Sequence, residues 1–416
     1  MSPPQSPAFS PAIPEKEHLG PLKDMAQEVV KASAYLEGRI APDTARSLGE
    51  KLRNLNSYYS NLIEGHKTVI PEIEQALSKK FAKDDGRRYA QELCVAHIEV
   101  EREFMAALEE NPPDNICGFD YLGSIHRRFY EHLPEHHRFT HHSGGFSGIH
   151  VHPGQMRDAN VSVDQGQTIH GPDVKELPQK LAEFADLYNP SNFHGDEKLI
   201  ATAAAHHRLT WLHPFRDGNG RVARLFISFY LSFININKSN LWSINRGFSR
   251  NKNWYMLNLQ SADSPDKKGN RFNQELFADF CAFFLETCLD QIAFMDQILD
   301  FKRVDARIDG YINERDKDRG AERPIDPRSG RLLKALFAQG QIPRGEAGAI
   351  MGMDTYSDRQ IRRVVSQLIE EGLVESDSHR APLRIGFPKE VLSHYFPALF
   401  DPSVMGDAYL HSEEEV

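Results

Sequence analysis

The sequence predicts a mainly α-helical protein with one small β-hairpin and a C-terminal winged-helix module. Three observations carry that expectation. An Ala-rich stretch that reads as a buried helix precedes a Gly-rich turn at residues 217–220, and apolar residues recur at helical spacing after it. Val161 and Val163 alternate with polar residues, and residues 164–167 turn the chain back towards Thr168, Ile169 and His170, the pattern of a hairpin. A charged, proline-containing stretch at 319–328 then separates a long helical region from a run of three short amphipathic helices and a wing-like segment.

The chain divides accordingly. Residues 1–18, rich in Pro and Ser, read as a disordered tail with no apolar core of a signal peptide, and 19–112 as a helical N-terminal segment. Residues 113–318 form the main domain, 319–328 a linker, 329–403 the winged-helix domain and 404–416 an acidic tail. No uninterrupted apolar run approaches a membrane span, so no membrane partner is expected. Cys94, Cys117, Cys281 and Cys288 lack metal-site spacing and read as buried thiols in a reducing, cytoplasmic setting. The net charge of −10 argues against a protein wholly devoted to nucleic acid.

In the N-terminal segment Asp43 can cap a helix whose Leu48, Leu52, Leu55, Tyr59 and Leu62 repeat every three or four residues. Ser60 and Glu64 share one face near its end, and Gly65 suits its C-cap. Two further helices follow around a turn at 84–86. Another, with Leu122, Ile125 and Phe129 as its core stripe, precedes the hairpin, and His126 on it reads as packing or solvent-facing. His132, His136, His137, His141, His142, His150 and His152 form a dense stretch without a tetrahedral ligand pattern; they read as solvated loop histidines rather than a zinc site.

The chemistry concentrates at 213–224. A Gly-rich turn opening a helix leaves backbone N–H groups of Gly218, Asn219 and Gly220 pointing outward at the positive end of a helix dipole, which is an anion site. Arg221 and Arg224 can clamp further phosphate charge. Asp217 is the hard oxygen ligand that Mg²⁺ uses, and His213 is the natural general base near neutral pH. Together they describe a nucleotide-transfer site.

The string His213-x-Phe215-x-Asp217-Gly218-Asn219-Gly220-Arg221-x-x-Arg224 resembles the full signature of the Fic family. That resemblance implies a Fic-type helical core that transfers AMP from ATP, with Mg²⁺, to a Ser, Thr or Tyr hydroxyl of a target protein and of the chain itself. It implies that the hairpin is a flap on which the target docks by strand addition. Ser60, Glu64 and Gly65 resemble the family's inhibitory motif; Glu64 would then pair with Arg224 and intrude on the γ-phosphate. Val163 and Ile169 would pack on the nucleotide or target, or simply form the hairpin's core. Tyr255, in a segment similar to the one flanking adenine, would contact the base by ring stacking and through its hydroxyl, or be a core tyrosine. The same site could instead remove AMP with Glu64 orienting a water, or transfer UMP. From a different class, the chain could be a DNA-binding regulator through 329–390, where Arg359, Arg362 and Arg363 sit as a recognition helix requires, with the Fic site as nucleotide sensor. A homodimer that controls inhibition is also implied by resemblance.

Overall fold

The computed structural model describes residue 9 and residues 12–142, 145–160, 162–164, 168–264, 273–317 and 324–400; side chains of 141–147 and 161–170 lie outside that description. The chain forms two compact units. The first comprises residues 1–31, 53–238 and 243–290, and the second 32–52, 239–242 and 291–416.

The chain opens with α1 (Lys16–Gly38) and α2 (Pro42–Ile63), each contributing residues to both units. Helix α1 begins within the stretch expected to be a tail, and Asp43 lies inside the first turn of α2 rather than capping it. Then come α3 (Ile70–Leu77) and α4 (Asp85–Glu110), whose N-cap Asp84 accepts from the Arg87 amide at 2.9 Å. Helix α5 (Phe119–Glu131) leads to two antiparallel hairpins, β1 (Phe139–His142) with β2 (Gly145–His150), and β3 (Ser162–Asp164) with β4 (Thr168–His170). The first hairpin falls where the sequence suggested only a His-rich loop. The second is the expected one, with Val163 directly opposite Ile169.

Helices α6 (Leu177–Leu187), α7 (Glu197–Leu212) and α8 (Asn219–Phe233) follow. Helix α7 is buried almost throughout, and its alanines 201 and 203–205 are all fully buried. Side chains that small let α8 approach closely, and Val222, Leu225, Phe226, Phe229 and Tyr230 are buried on α8. The first unit continues with α9 (Ile244–Arg250), α10 (Lys252–Ala262) and most of α11 (Gln274–Ile298).

The second unit takes in α12 (Phe301–Lys317), so it begins well before the linker the sequence suggested. The long helical region before that linker is two helices, separated at Leu299 and Asp300. Beyond it run α13 (Ser329–Gln339), β5 (Gln341–Ile342), α14 (Ala347–Ile350), α15 (Asp358–Glu370), β6 (Val374–Glu375), β7 (Leu383–Ile385) and α16 (Lys389–Tyr395). The three strands pair antiparallel in the order β5-β7-β6. Ser357 and Gln360 form a capping box at the start of α15. Among the described residues no helix is long and apolar enough to cross a membrane.

Candidate active site

Helix α7 ends at His213, which adopts a left-handed backbone (φ 46°, ψ 61°) as its C-cap. A non-glycine residue there costs on the order of 1–2 kcal/mol and persists only where surrounding structure holds it. The turn that follows is stapled by Asn219, whose Oδ1 accepts from the Phe215 amide and whose Nδ2 donates to the Phe215 carbonyl, both at 2.8 Å. Gly218 takes φ 77°, and a Cβ there would stand 2.9 Å from the Tyr130 ring, so glycine is required on two counts.

Thr210 fixes the state of His213. Its carbonyl lies 3.4 Å from Nδ1 and can only accept, so Nδ1 carries the proton and Nε2 is the basic nitrogen. Burial holds the imidazole below its ordinary value, outweighing Thr210, Asp217 and Glu64, which push it up.

Helix α2 brings the carboxylate. It ends in a Schellman motif, with His66 N donating to Asn61 O and Gly65 N to Leu62 O, both at 3.0 Å, and Gly65 at φ 90°. Ser60 and Glu64 then face Arg224. The Ser60 hydroxyl accepts from Arg224 Nε and the Ser60 carbonyl from Nη2, each at 3.0 Å, while Glu64 Oε1 accepts from Nη2 at 2.5 Å. Glu64 Oε1 also lies 2.2 Å from where a Gly220 Cβ would be. The carboxylate therefore sits at the first turn of α8, where an anion belongs. Burial pulls the Glu64 carboxyl up, but Arg224 and then Arg221 outweigh it and hold it at about 2. A third of the side chain still meets solvent, which weakens the pair relative to a fully enclosed one.

Of the three amides expected to cradle phosphate, Gly218 N is engaged by Asp217 Oδ1 at 2.5 Å. Asn219 and Gly220 open α8, where amides have no intrahelical acceptor. Arg221 Nη2 donates to Asp217 Oδ1 at 3.3 Å, but its Nε and Nη1 are buried without a hydrogen-bond partner. Buried orphaned donors beside a carboxylate suit a phosphate and its metal, so Asp217 and Arg221 fit a magnesium–nucleotide.

These groups wall a cavity of about 170 Å³ lined by Glu64, Thr210, His213, Gly220, Arg224 and, on α10, Tyr255, Met256, Leu259, Gln260 and Asp263. Tyr255 lines the cavity and at the same time takes the core position that the sequence left open for it. It is 1% exposed, its ring is stacked on Phe248 at 4.2 Å, and its hydroxyl bonds His206 Nε2 at 2.9 Å. One ring face is covered by Phe248, and Met256 and Leu259 add to the apolar wall. For Val163 the backbone pairing is described and the side chain is not.

Three residues that support the site were not singled out for it by sequence, although His126 is packed, one of the two readings the sequence gave it. His126 is buried, stacks on Phe215 at 4.0 Å, accepts from Gly154 N at 2.8 Å and bonds the Asp217 carbonyl at 3.2 Å. Because Nδ1 accepts, Nε2 carries the proton, and burial depresses its pKa to about 3. Its signal was legible: it shares the core face of α5 with Leu122 and Phe129. Tyr130, against Gly218, and buried Arg157 gave no such signal. The solvated-histidine reading also fails in part: His137 is buried with Nδ1 2.6 Å from Glu92, and His132 pairs with Glu103 at 3.0 Å. Both find carboxylate partners, and no metal-holding cluster of three or more occurs among the described residues.

Residues 116–231, which span His213, Asp217 and both motif arginines, match the Fic/DOC family. The chain carries a Fic/DOC family domain over those residues. It is 27% identical over 171 residues to the protein adenylyltransferase Fic of Culex quinquefasciatus, covering 41% of this chain and 30% of that protein. The protein of the same name from Aedes aegypti is 27% identical over 172 residues, with the same two coverages. This chain thus spans less than a third of those relatives' length. A Fic family protein from Desulfovibrio desulfuricans shares the fold at a TM-score of 0.51 and 15% identity, over 90% of this chain and 97% of that one. A Fic domain containing signaling protein from Bacteroides thetaiotaomicron gives 0.51 at 17% identity, over 65% and 95%. The Fic domain match reaches into α8 and omits Glu64.

The depressed basicity of His213 is directly measurable. An NMR titration of its ring protons is expected to give a midpoint below the ordinary imidazole value of about 6.5. A midpoint at or above that value would contradict the burial argument.

Proposed function

We propose that the chain is a protein adenylyltransferase that moves AMP from ATP to a hydroxyl side chain of a target protein, and that Glu64 restrains it. One observation carries the reading: the Glu64 carboxylate occupies the anion position at the start of α8 and engages Arg224 at 2.5 Å. A carboxylate held there by two arginines marks where a phosphate belongs when it leaves. The names of the similar proteins supply the reaction class, and the cavity beyond Glu64 has the apolar and polar wall a nucleoside needs.

In this reading His213 Nε2 accepts the proton of a target Ser, Thr or Tyr hydroxyl as its oxygen attacks the α-phosphorus. The bond from that phosphorus to the bridging oxygen breaks, pyrophosphate leaves, and AMP remains on the target as an ester. Asn219 and Gly220 amides, Arg221 and Arg224 hold phosphate oxygens. Magnesium at Asp217 would supply charge neutralisation when bound. Arg224 is available for the γ-phosphate only when Glu64 has moved, so inhibition and substrate binding compete for one guanidinium. The β3–β4 hairpin presents the target by main-chain pairing.

The test uses ATP labelled at the α- or γ-phosphate with wild type, Glu64→Gly, and Glu64→Gly combined with His213→Ala. Protein-bound label is expected from the α-position alone, at least about tenfold stronger in Glu64→Gly and lost in the double variant. Label from the γ-position would make the protein a kinase, and equal labelling in all three would remove both assigned roles.

A second reading attaches to the C-terminal unit. The order α13-β5-α14-α15-β6-β7, with sheet order β5-β7-β6, supports a winged-helix module. Arg359, Arg362 and Arg363 are exposed on α15, where such a module meets DNA, although Arg362 also pairs with Asp358 at 3.5 Å. Binding to duplex DNA that weakens steeply with salt, and drops on replacing the three arginines with alanine, is expected. Binding that ignores those replacements would make this helix irrelevant to nucleic acid.

A further inference from the structure

The Arg157 side chain is almost wholly buried at 2% exposure, and its guanidinium spans three separate backbone carbonyls. Nε donates to His213 O at 2.9 Å, Nη1 to Ala159 O at 2.9 Å, and Nη2 to Pro172 O at 2.5 Å. Its own amide donates to Pro214 O at 2.8 Å. Ala159 stands just ahead of β3 and Pro172 just after β4. One planar cation therefore ties both feet of the β3–β4 hairpin to the carbonyl of the residue that serves as base.

Neighbouring contacts reinforce the same junction. Arg216, on the turn after His213, bonds Asp158 through Nε at 2.6 Å. Asn160 bridges the two feet, accepting from Val174 N at 2.8 Å and donating to Asp173 at 3.3 Å. A Cβ on Gly171 would meet Trp211 O at 3.3 Å and Arg157 Nη2 at 3.5 Å, so the second foot runs tight against the end of α7. His213 itself has the left-handed backbone that needs holding, and Arg157 reaches that residue's carbonyl from one side and Pro214's from the other.

We propose that Arg157 is a positioning residue that keeps the hairpin and His213 in one register, so that a hydroxyl presented on the hairpin arrives at Nε2. The inference rests on the reading of His213 as base and of the hairpin as docking strand. Charge-assisted bonds from a rigid fork fix direction as well as distance. A lysine ammonium is a compact point donor and cannot span three carbonyls set around a planar group. Arg157, Ala159, Pro172 and Pro214 do not line the nucleotide cavity, and of the bonded residues only His213 does, through a bond to its backbone carbonyl, so nucleotide affinity is predicted to survive while acceptor alignment does not.

The experiment compares Glu64→Gly with Glu64→Gly carrying Arg157→Lys, using the His213→Ala chain as protein acceptor. Three quantities are read: AMP transfer rate, ATP dissociation constant by direct binding, and amide hydrogen exchange. The expected result is a fall in maximal transfer of about tenfold to a hundredfold with ATP affinity within about twofold. Exchange should rise together at 159–160, 171–174 and 213–215. Exchange rising at the hairpin feet alone with transfer unchanged would overturn the coupling, and so would ATP affinity falling in step with transfer, which would mark a merely structural role. If the Glu64→Gly parent transfers nothing, the adenylyltransferase reading fails instead, and the exchange pattern alone decides the coupling. Should the lysine variant not fold, Arg157→Gln, which buries no charge, carries the same three readouts.

Discussion

The start of α8 attracts negative charge, and that constraint organises the site around it. Its first amides lack intrahelical acceptors, the dipole is positive there, and Arg221 and Arg224 stand within the next turns. Something anionic must sit against them or the arginines remain buried and unpaired, at a cost of several kcal/mol. In this structure the Glu64 carboxylate meets that need on Arg224, while Arg221 satisfies one nitrogen on Asp217 and leaves two without partners. Under the proposed reading, inhibition needs no separate lock. In that reading the Glu64 carboxylate answers the same electrostatic demand that a triphosphate would, so each would exclude the other.

That carboxylate stays ionised over the whole ordinary pH range, since Arg224 and Arg221 hold it at about 2 against burial. Its stabilising contribution is fully present above the unfolded value of about 4.3 and is lost only as pH falls towards the folded one. Protonation is thus a poor release. In the proposed reading release would come from displacing the last turn of α2, which the Schellman motif at Gly65 makes a defined unit.

Much of this was legible in the sequence because local chemistry fixes it. The Gly-rich turn, the Ala-rich stretch before it, the helical periodicity after it and the spacing of Ser60 and Glu64 are short-range features, and they set which groups face one way. The hairpin at 162–170 followed from alternation and a turn sequence between its two arms. What escaped was set by distant packing. For Tyr255 the sequence left base contact and core packing open, and only the packing of Phe248 and His206 around it shows the core position. The Gly218 amide is taken by the neighbouring Asp217, a choice periodicity does not encode. Arg157 lies in a polar string that reads as loop, and only the meeting of α7's end with both hairpin feet buries it. The break at Leu299 and Asp300, inside an apolar stripe, gave no Gly or Pro to announce it.

Competition between a carboxylate and a third phosphate is the central claim, and calorimetric binding of ATP and ADP to wild type and Glu64→Gly tests it most directly. Removing the carboxylate should strengthen ATP binding more than ADP binding, because only ATP brings a γ-phosphate to Arg224. Equal strengthening of both nucleotides, or none, would contradict the account.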